Sequence, residues 1–181
     1  VGINRGTAIN LAIFNLPRLS IDIDLDYIIN DSKEEMLKNR EIINITINNY
    51  MSLNGYELSP KSKKPFSLDS WVYNYKNLGG NTDNIKIEIN YSLRSHILSP
   101  KKIRLVSNYF ENEFLINCLD PIELFGSKIT ALLNRGAARD LYDTYNMIKF
   151  KLFDENEETF LKKCIIFYRA ISNNNLNIIA N

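Results

Sequence analysis

Apolar and polar positions alternate with a period of two in several stretches of this chain and follow a helical period in most of the rest. From Ser20 to Ile28 (SIDIDLDYI) the alternation predicts a strand, with Ile21, Ile23 and Leu25 on one face and Asp22, Asp24 and Asp26 on the other. Gly6 to Phe14 carries apolar residues at helical spacing and predicts a short helix ending before Pro17. A long helix is expected between Asp31 and Gly55: Asp31 or Ser32 can cap it, Glu34 and Glu35 suit its first turn, and Gly55 ends it. SLDSWVYNYKN and NIKIEINYSL alternate well around the turn-forming LGGNTDN, and Lys102–Phe110 with Glu113–Cys118 reads as a second hairpin. From Pro121 onward the pattern becomes helical three times over, and Pro121 itself suits a first helical position.

The elements predict an α+β fold: an α+β lobe over residues 1–120 and a helical lobe over 121–181, with a cleft between them as the natural ligand site. The asparagine run near the C-terminus is expected to fray. A chain of 181 residues is long enough for a sizeable core. Its net charge of +1 removes any strong overall attraction to nucleic acid or anionic lipid, though not a local basic groove. Cys118 and Cys164 lack metal-ligand spacing and read as reduced core thiols of a cytoplasmic protein. His96 stands alone, so no multi-histidine metal site can be assembled, and a loop position is expected for it. No run of apolar residues reaches membrane-spanning length and no signal peptide is visible.

The aspartates need an explanation, because three like charges on one strand face repel. An EF-hand loop fails: Ile23 and Leu25 intervene, and Tyr27 occupies the position that needs glycine. A solvated strand face is one reading. A divalent cation is the other, since Mg²⁺ is commonly held by one or two carboxylates together with substrate phosphates. Glu88, on an alternating strand that could lie beside the first, offers a third carboxylate. Lys86 shares the Glu88 face, as an accessory group or as half of an ion pair.

Gly6-Thr7 followed by Ser20-x-Asp22-x-Asp24 resembles the start of the nucleotidyltransferase fold of the DNA polymerase β superfamily. More closely, GTAINLAIFNLPRLSIDIDLD resembles the opening block of the AbiEii/AbiGii toxin family, and PIELFGSKITALLNRGAARDLYDTY resembles that family's lysine helix and its RDLYD segment. The resemblance implies a mixed sheet with helices followed by a helical lobe. It implies Asp22 and Asp24 as ligands of Mg²⁺ or Mn²⁺, and Gly6, Thr7 and Ser20 beside the phosphates of an NTP. Lys128 would meet the triphosphate, Asp143 would act as a further acidic group, and Glu88 and Lys86 would lie on the neighbouring strand. Arg135, Arg139 and Asp140 would form an accessory network with them. Read without the resemblance, Lys128 is a snorkelling surface lysine, and Arg139 with Asp143 is a helix ion pair.

What the resemblance implies for function is transfer of a nucleotide from NTP to an acceptor, tRNA or another RNA, by the toxin half of a toxin–antitoxin or abortive-infection pair with a cognate antitoxin. The loop SPKSKKP and Lys101-Lys102 are then candidates for RNA backbone contact. Arg5 departs from the pattern, since the family usually has a second glycine there, and the upstream residues expected from the family are largely absent, so a bracing strand or helix is expected to be missing or supplied by another molecule. These departures favour the alternative, a catalytically degenerate homologue that binds nucleotide or antitoxin only.

Overall fold

The computed structural model describes residues 1–14, 22–105 and 114–172, with Arg5 in its backbone only. Its contacts divide the chain into two compact units, one made of Val1–His96 with Pro100–Cys118 and the other of Ile97–Ser99 with Leu119 onward.

The first unit is built on one seven-stranded mixed sheet. In chain order its strands are β1 (Gly2–Ile3), β2 (Ile23–Asp26), β3 (Glu57–Leu58), β4 (Leu68–Lys76), β5 (Thr82–Asn90), β6 (Lys101–Arg104) and β7 (Leu115–Cys118). They lie side by side as β3-β4-β5-β2-β1-β7-β6. The β2–β5 and β1–β7 pairs are parallel, and the others antiparallel. The carboxylate strand is therefore an interior strand, with β5 on one side and β1 on the other.

The two expected hairpins form as β4–β5 and β6–β7. The carboxylate strand is shorter than its alternation suggests and begins at Ile23. The expected start of that strand at Ser20 and Ile21, the far part of the second hairpin and the asparagine run lie outside the described residues. Two-residue β1 and β3 were not anticipated, being too short to show a period.

One face of the sheet is apolar. Trp71 and Tyr73 of β4 and Ile87 and Ile89 of β5 are buried there with Tyr27 and Tyr91. Burying Ile87 and Ile89 stabilises the fold by about 1.5–3 kcal/mol each. Helix α2 (Lys33–Leu53) covers this face with Met36, Ile43, Ile47 and Met51. Ser32 caps α2 through the Glu35 N–H, and Gly55 leaves it at φ +80°, where glycine carries no Cβ penalty. Arg40 of α2 grips the fully buried Asp69 of β4 at 2.7 and 3.1 Å and also donates to the carbonyls of Pro65 and Phe66. That pair ties the helix to the sheet.

The second unit consists of α3 (Pro121–Arg135), α4 (Ala138–Lys149) and α5 (Glu155–Ile171), with Ile97–Ser99. Asp120 caps α3 and Asp154 caps α5 in a full capping box. Glu123 is fully buried and accepts the N–H groups of Ile97 and Leu98 and the hydroxyl of Tyr168. One carboxylate thus anchors the Ile97–Ser99 segment and α5 to α3.

Candidate functional site

The polar face of the sheet carries Asp24 on β2, Glu88 on β5 and Ser70 on β4. Asp24 pairs in register with Glu88, and Glu88 with Ser70, so the three side chains form a row across adjacent strands. Asp22 stands just ahead of β2, and both aspartates are half-buried. Oε1 of Glu88 receives the Ser70 hydroxyl at 3.0 Å and the Lys86 ammonium at 2.8 Å. Lys86 is held in its charged form above the ordinary lysine value. Its hydrogen bond to Glu88 is the main cause, opposed by burial and reinforced by the charges of Glu88, Asp22 and Asp24. One cation therefore sits in the combined field of three carboxylates. That relieves the repulsion that the alternating aspartates would otherwise create.

Helix α1 (Arg5–Ala8), continued by a wider π-helical turn over Ile9–Ile13, abuts β2. The turn is closed by the Phe14 N–H on the Ile9 carbonyl at 2.8 Å. Thr7 is buried. Its hydroxyl donates to the Asp22 carbonyl at 2.6 Å and accepts the Asp24 N–H at 3.3 Å. Asn4 donates its N–H to the Asp24 carbonyl at 2.9 Å and its side-chain amide to the buried carboxylate of Asp26. The Gly6 carbonyl accepts the amide of the fully buried Asn10 at 2.6 Å. Thr7 and Asn4 thus clamp the backbone that presents Asp22 and Asp24. Asp26 is drawn inward and stands apart from the row.

The donor set here is made of carboxylate oxygens, which is the chemistry of a hard cation such as Mg²⁺ or Mn²⁺. Among the described residues no three His, Cys, Asp or Glu side chains are grouped to enclose a metal ion by themselves. A two-carboxylate perch completed by phosphate oxygens is the arrangement these residues fit.

In the helical unit, Lys128 of α3 is buried and lies 3.2 Å from Asp140 and 3.0 Å from Asp143, both on α4 and both buried. Arg135 adds contacts to Asp140 at 2.6 and 3.0 Å. Burial pushes the Asp140 carboxyl up. The Arg135 hydrogen bonds and the Lys128 charge outweigh it, and the group is held below its ordinary value. Lys128 is therefore not a snorkelling surface lysine, and the ion partner of Asp143 is Lys128 rather than Arg139. Arg139 is exposed and, among the described residues, makes no ion pair.

Ser20 lies outside the described residues. Lys61, Lys63, Lys64, Lys101 and Lys102 are all exposed. Cys118 and Cys164 are buried thiols outside any disulfide, and burial pushes the Cys164 thiol up to about 11, so Cys164 is not a poised nucleophile. His96 is half-buried in an irregular segment. No helix is long and apolar enough to cross a membrane among the described residues. Sequence reasoning missed Ser70, Asn4 and Asn10. The signal for Ser70 was available, because pairing the two alternating strands around LGGNTDN brings it opposite Glu88.

A family model described as nucleotidyl transferase AbiEii toxin, type IV toxin–antitoxin system, matches residues 6–180. No curated protein and no solved structure matches the chain.

Proposed function

The chain belongs to the AbiEii family of nucleotidyl transferase toxins, and from that premise we propose that it transfers a nucleotide from an NTP to a hydroxyl of an RNA acceptor, tRNA being the first candidate. The observation that carries this reading is the row of Asp24, Glu88 and Ser70, with Asp22 beside it and Lys86 bound within it.

In the proposed reaction an acceptor hydroxyl oxygen attacks the α-phosphorus of the NTP. The P–O bond to the β-phosphate breaks, pyrophosphate leaves with that electron pair, and the hydroxyl proton passes to a base. Asp22 and Asp24 would hold Mg²⁺ or Mn²⁺, which supplies charge neutralisation and orientation at the phosphates. Thr7 and Asn4 fix the strand that carries the two aspartates, so their separation is set before substrate arrives. Glu88 would accept a proton or share the cation. Lys128, Asp143, Arg135 and Asp140 are proposed as a charge network of the helical unit that serves the same reaction, and Arg139, exposed, as a contact for an anionic partner. Toxin action on RNA in the cytoplasm, opposed by a cognate antitoxin, completes the proposal.

The test is incubation of the protein with Mg²⁺, each labelled NTP in turn and total tRNA, beside an Asp22→Ala/Asp24→Ala control. Label transferred to RNA by the parent and not by the double variant supports the proposal. NTP binding without transfer points to the degenerate binding module.

A further inference from the structure

We propose that Lys86 is the resident countercation of the carboxylate row. It holds Glu88 in the nucleotide-free protein, and a divalent cation displaces it only when it arrives with a triphosphate. The inference rests on reading this face as the site of nucleotide transfer.

Lys86 and Glu88 are two residues apart on β5 and so share a face. The ammonium lies 2.8 Å from the same Glu88 oxygen that the Ser70 hydroxyl holds at 3.0 Å. Glu88 is in turn the register partner of Asp24. A hard cation drawn to Asp24 and Glu88 would compete with the ammonium for the Glu88 carboxylate, and the two cations would repel one another. Bare metal therefore meets a site whose charge is already partly neutralised.

A triphosphate changes that balance. It brings its own oxygens to the metal and offers the displaced ammonium an anionic partner in exchange for Glu88. Lys86 is built to move: its side chain is 35% exposed, on a flexible four-carbon stem. Lys128, at 7% exposed between two carboxylates, is not. Cation and nucleotide then bind cooperatively, each raising affinity for the other by the same factor. Lys86 is a positioning residue in the resting protein and meets phosphate in the loaded one.

The probe is Mn²⁺ added to the nucleotide-free full chain, with free Mn²⁺ read by electron paramagnetic resonance. Lys86→Met removes the charge and keeps most of the stem, whereas Lys86→Arg keeps the charge. The expected result is Mn²⁺ affinity higher by about tenfold in Lys86→Met, a coupling of ordinary size, and near the parent value in Lys86→Arg. In transfer assays Lys86→Met should raise KM for NTP with a smaller change in kcat. Adding Asp22→Ala/Asp24→Ala to Lys86→Met should abolish the gained Mn²⁺ binding.

If Lys86→Met binds Mn²⁺ no better than the parent while the double aspartate variant still loses transfer, the countercation role is overturned and the functional reading stands. If no variant binds Mn²⁺ and the parent transfers no label, both fall.

Discussion

Asp24 on β2 and Glu88 on β5 stand opposite one another in register on adjacent parallel strands. Two carboxylates placed side by side, on the polar face of an interior strand pair, are a poor choice for stability. Apolar residues or opposite charges at those positions would lower the energy of the sheet. A strand pair that keeps this arrangement, and braces it from behind with Thr7 and Asn4, trades stability for a charge pattern.

That trade has a measurable signature. Asp24→Asn removes one like charge and keeps the shape of the side chain. Thermal denaturation should show a Tm equal to or above the parent's. RNA labelling should fall by at least about a hundredfold, beyond what loss of an outer partner of a metal ligand costs. A variant that loses stability and activity together would identify Asp24 as a structural residue.

Thr7 acts on the same carboxylates through the backbone. Thr7→Val keeps the volume and deletes the hydroxyl that bridges the Asp22 carbonyl and the Asp24 N–H. The two unmade hydrogen bonds should cost about 1–2 kcal/mol in urea denaturation. Labelling should fall because the spacing of the aspartates is no longer fixed. Thr7→Ser restores the hydroxyl and should recover most of both.

Lys128 separates structural from chemical roles in the helical unit. Lys128→Met leaves Asp140 and Asp143 buried without their shared cation. Breaking a buried pair in this way costs about 3–5 kcal/mol, and the half-exposed Arg135 that still holds Asp140 argues for the lower end. Urea midpoints measure the loss. A second change, Asp143→Asn, should recover part of it by removing one of the two buried charges that Lys128 neutralises.

The same cluster sets a pH dependence. The Asp140 carboxyl is raised by burial, but Arg135 and Lys128 bring it below its ordinary value of 3.8. A carboxyl with a depressed folded-state value adds stability at every pH above its unfolded value, and that stability is lost as pH falls through the folded value. Urea denaturation followed from about pH 6 down to about pH 2 should show the parent losing stability as acid protonates this group. Asp140→Asn should start lower at neutral pH and fall less steeply at the acid end.

Strand alternation made much of the first unit legible before any coordinates. Ile85, Ile87 and Ile89 against Lys86 and Glu88 give both faces of β5 directly, and Trp71 and Tyr73 do the same for β4. The charged interior was not legible, because polarity patterns send charges outward. Asp69 sits at an apolar-face position of β4 and is tolerated because Arg40 and Asn44, distant in sequence, reach it. Helix α4 inverts the usual rule: Asp140 and Asp143 are buried while Leu141, Tyr145 and Ile148 are exposed. Periodicity alone would have turned that helix the other way. Lys128 and Arg135, both on another helix, supply the cations that make the observed orientation favourable. The DLYD spacing and the lysine helix could be linked from sequence through the family resemblance, but the direct pairing of Lys128 with both aspartates needed coordinates.

Gly126 shows how closely the helices of the second unit approach. A Cβ on Gly126 of α3 would lie 2.6 Å from the Cβ of Cys164 on α5 and 3.3 Å from that residue's carbonyl carbon. Gly126→Ala gains helix propensity of about 1 kcal/mol, yet forcing apart a well-packed pair costs about 1–3 kcal/mol. The clash should win, giving a net loss of stability in urea denaturation. The obstacle is the Cβ of Cys164 rather than its sulfur, so Cys164→Ala should not rescue Gly126→Ala. Cys164→Gly should relieve the short Cβ contact, although glycine inside α5 carries its own cost of about 1 kcal/mol. In a double-mutant cycle the Gly126→Ala penalty should therefore be smaller in the Cys164→Gly background than in the parent, and unchanged in the Cys164→Ala background. Equal penalties in all three backgrounds would mean that α3 and α5 do not meet at this point.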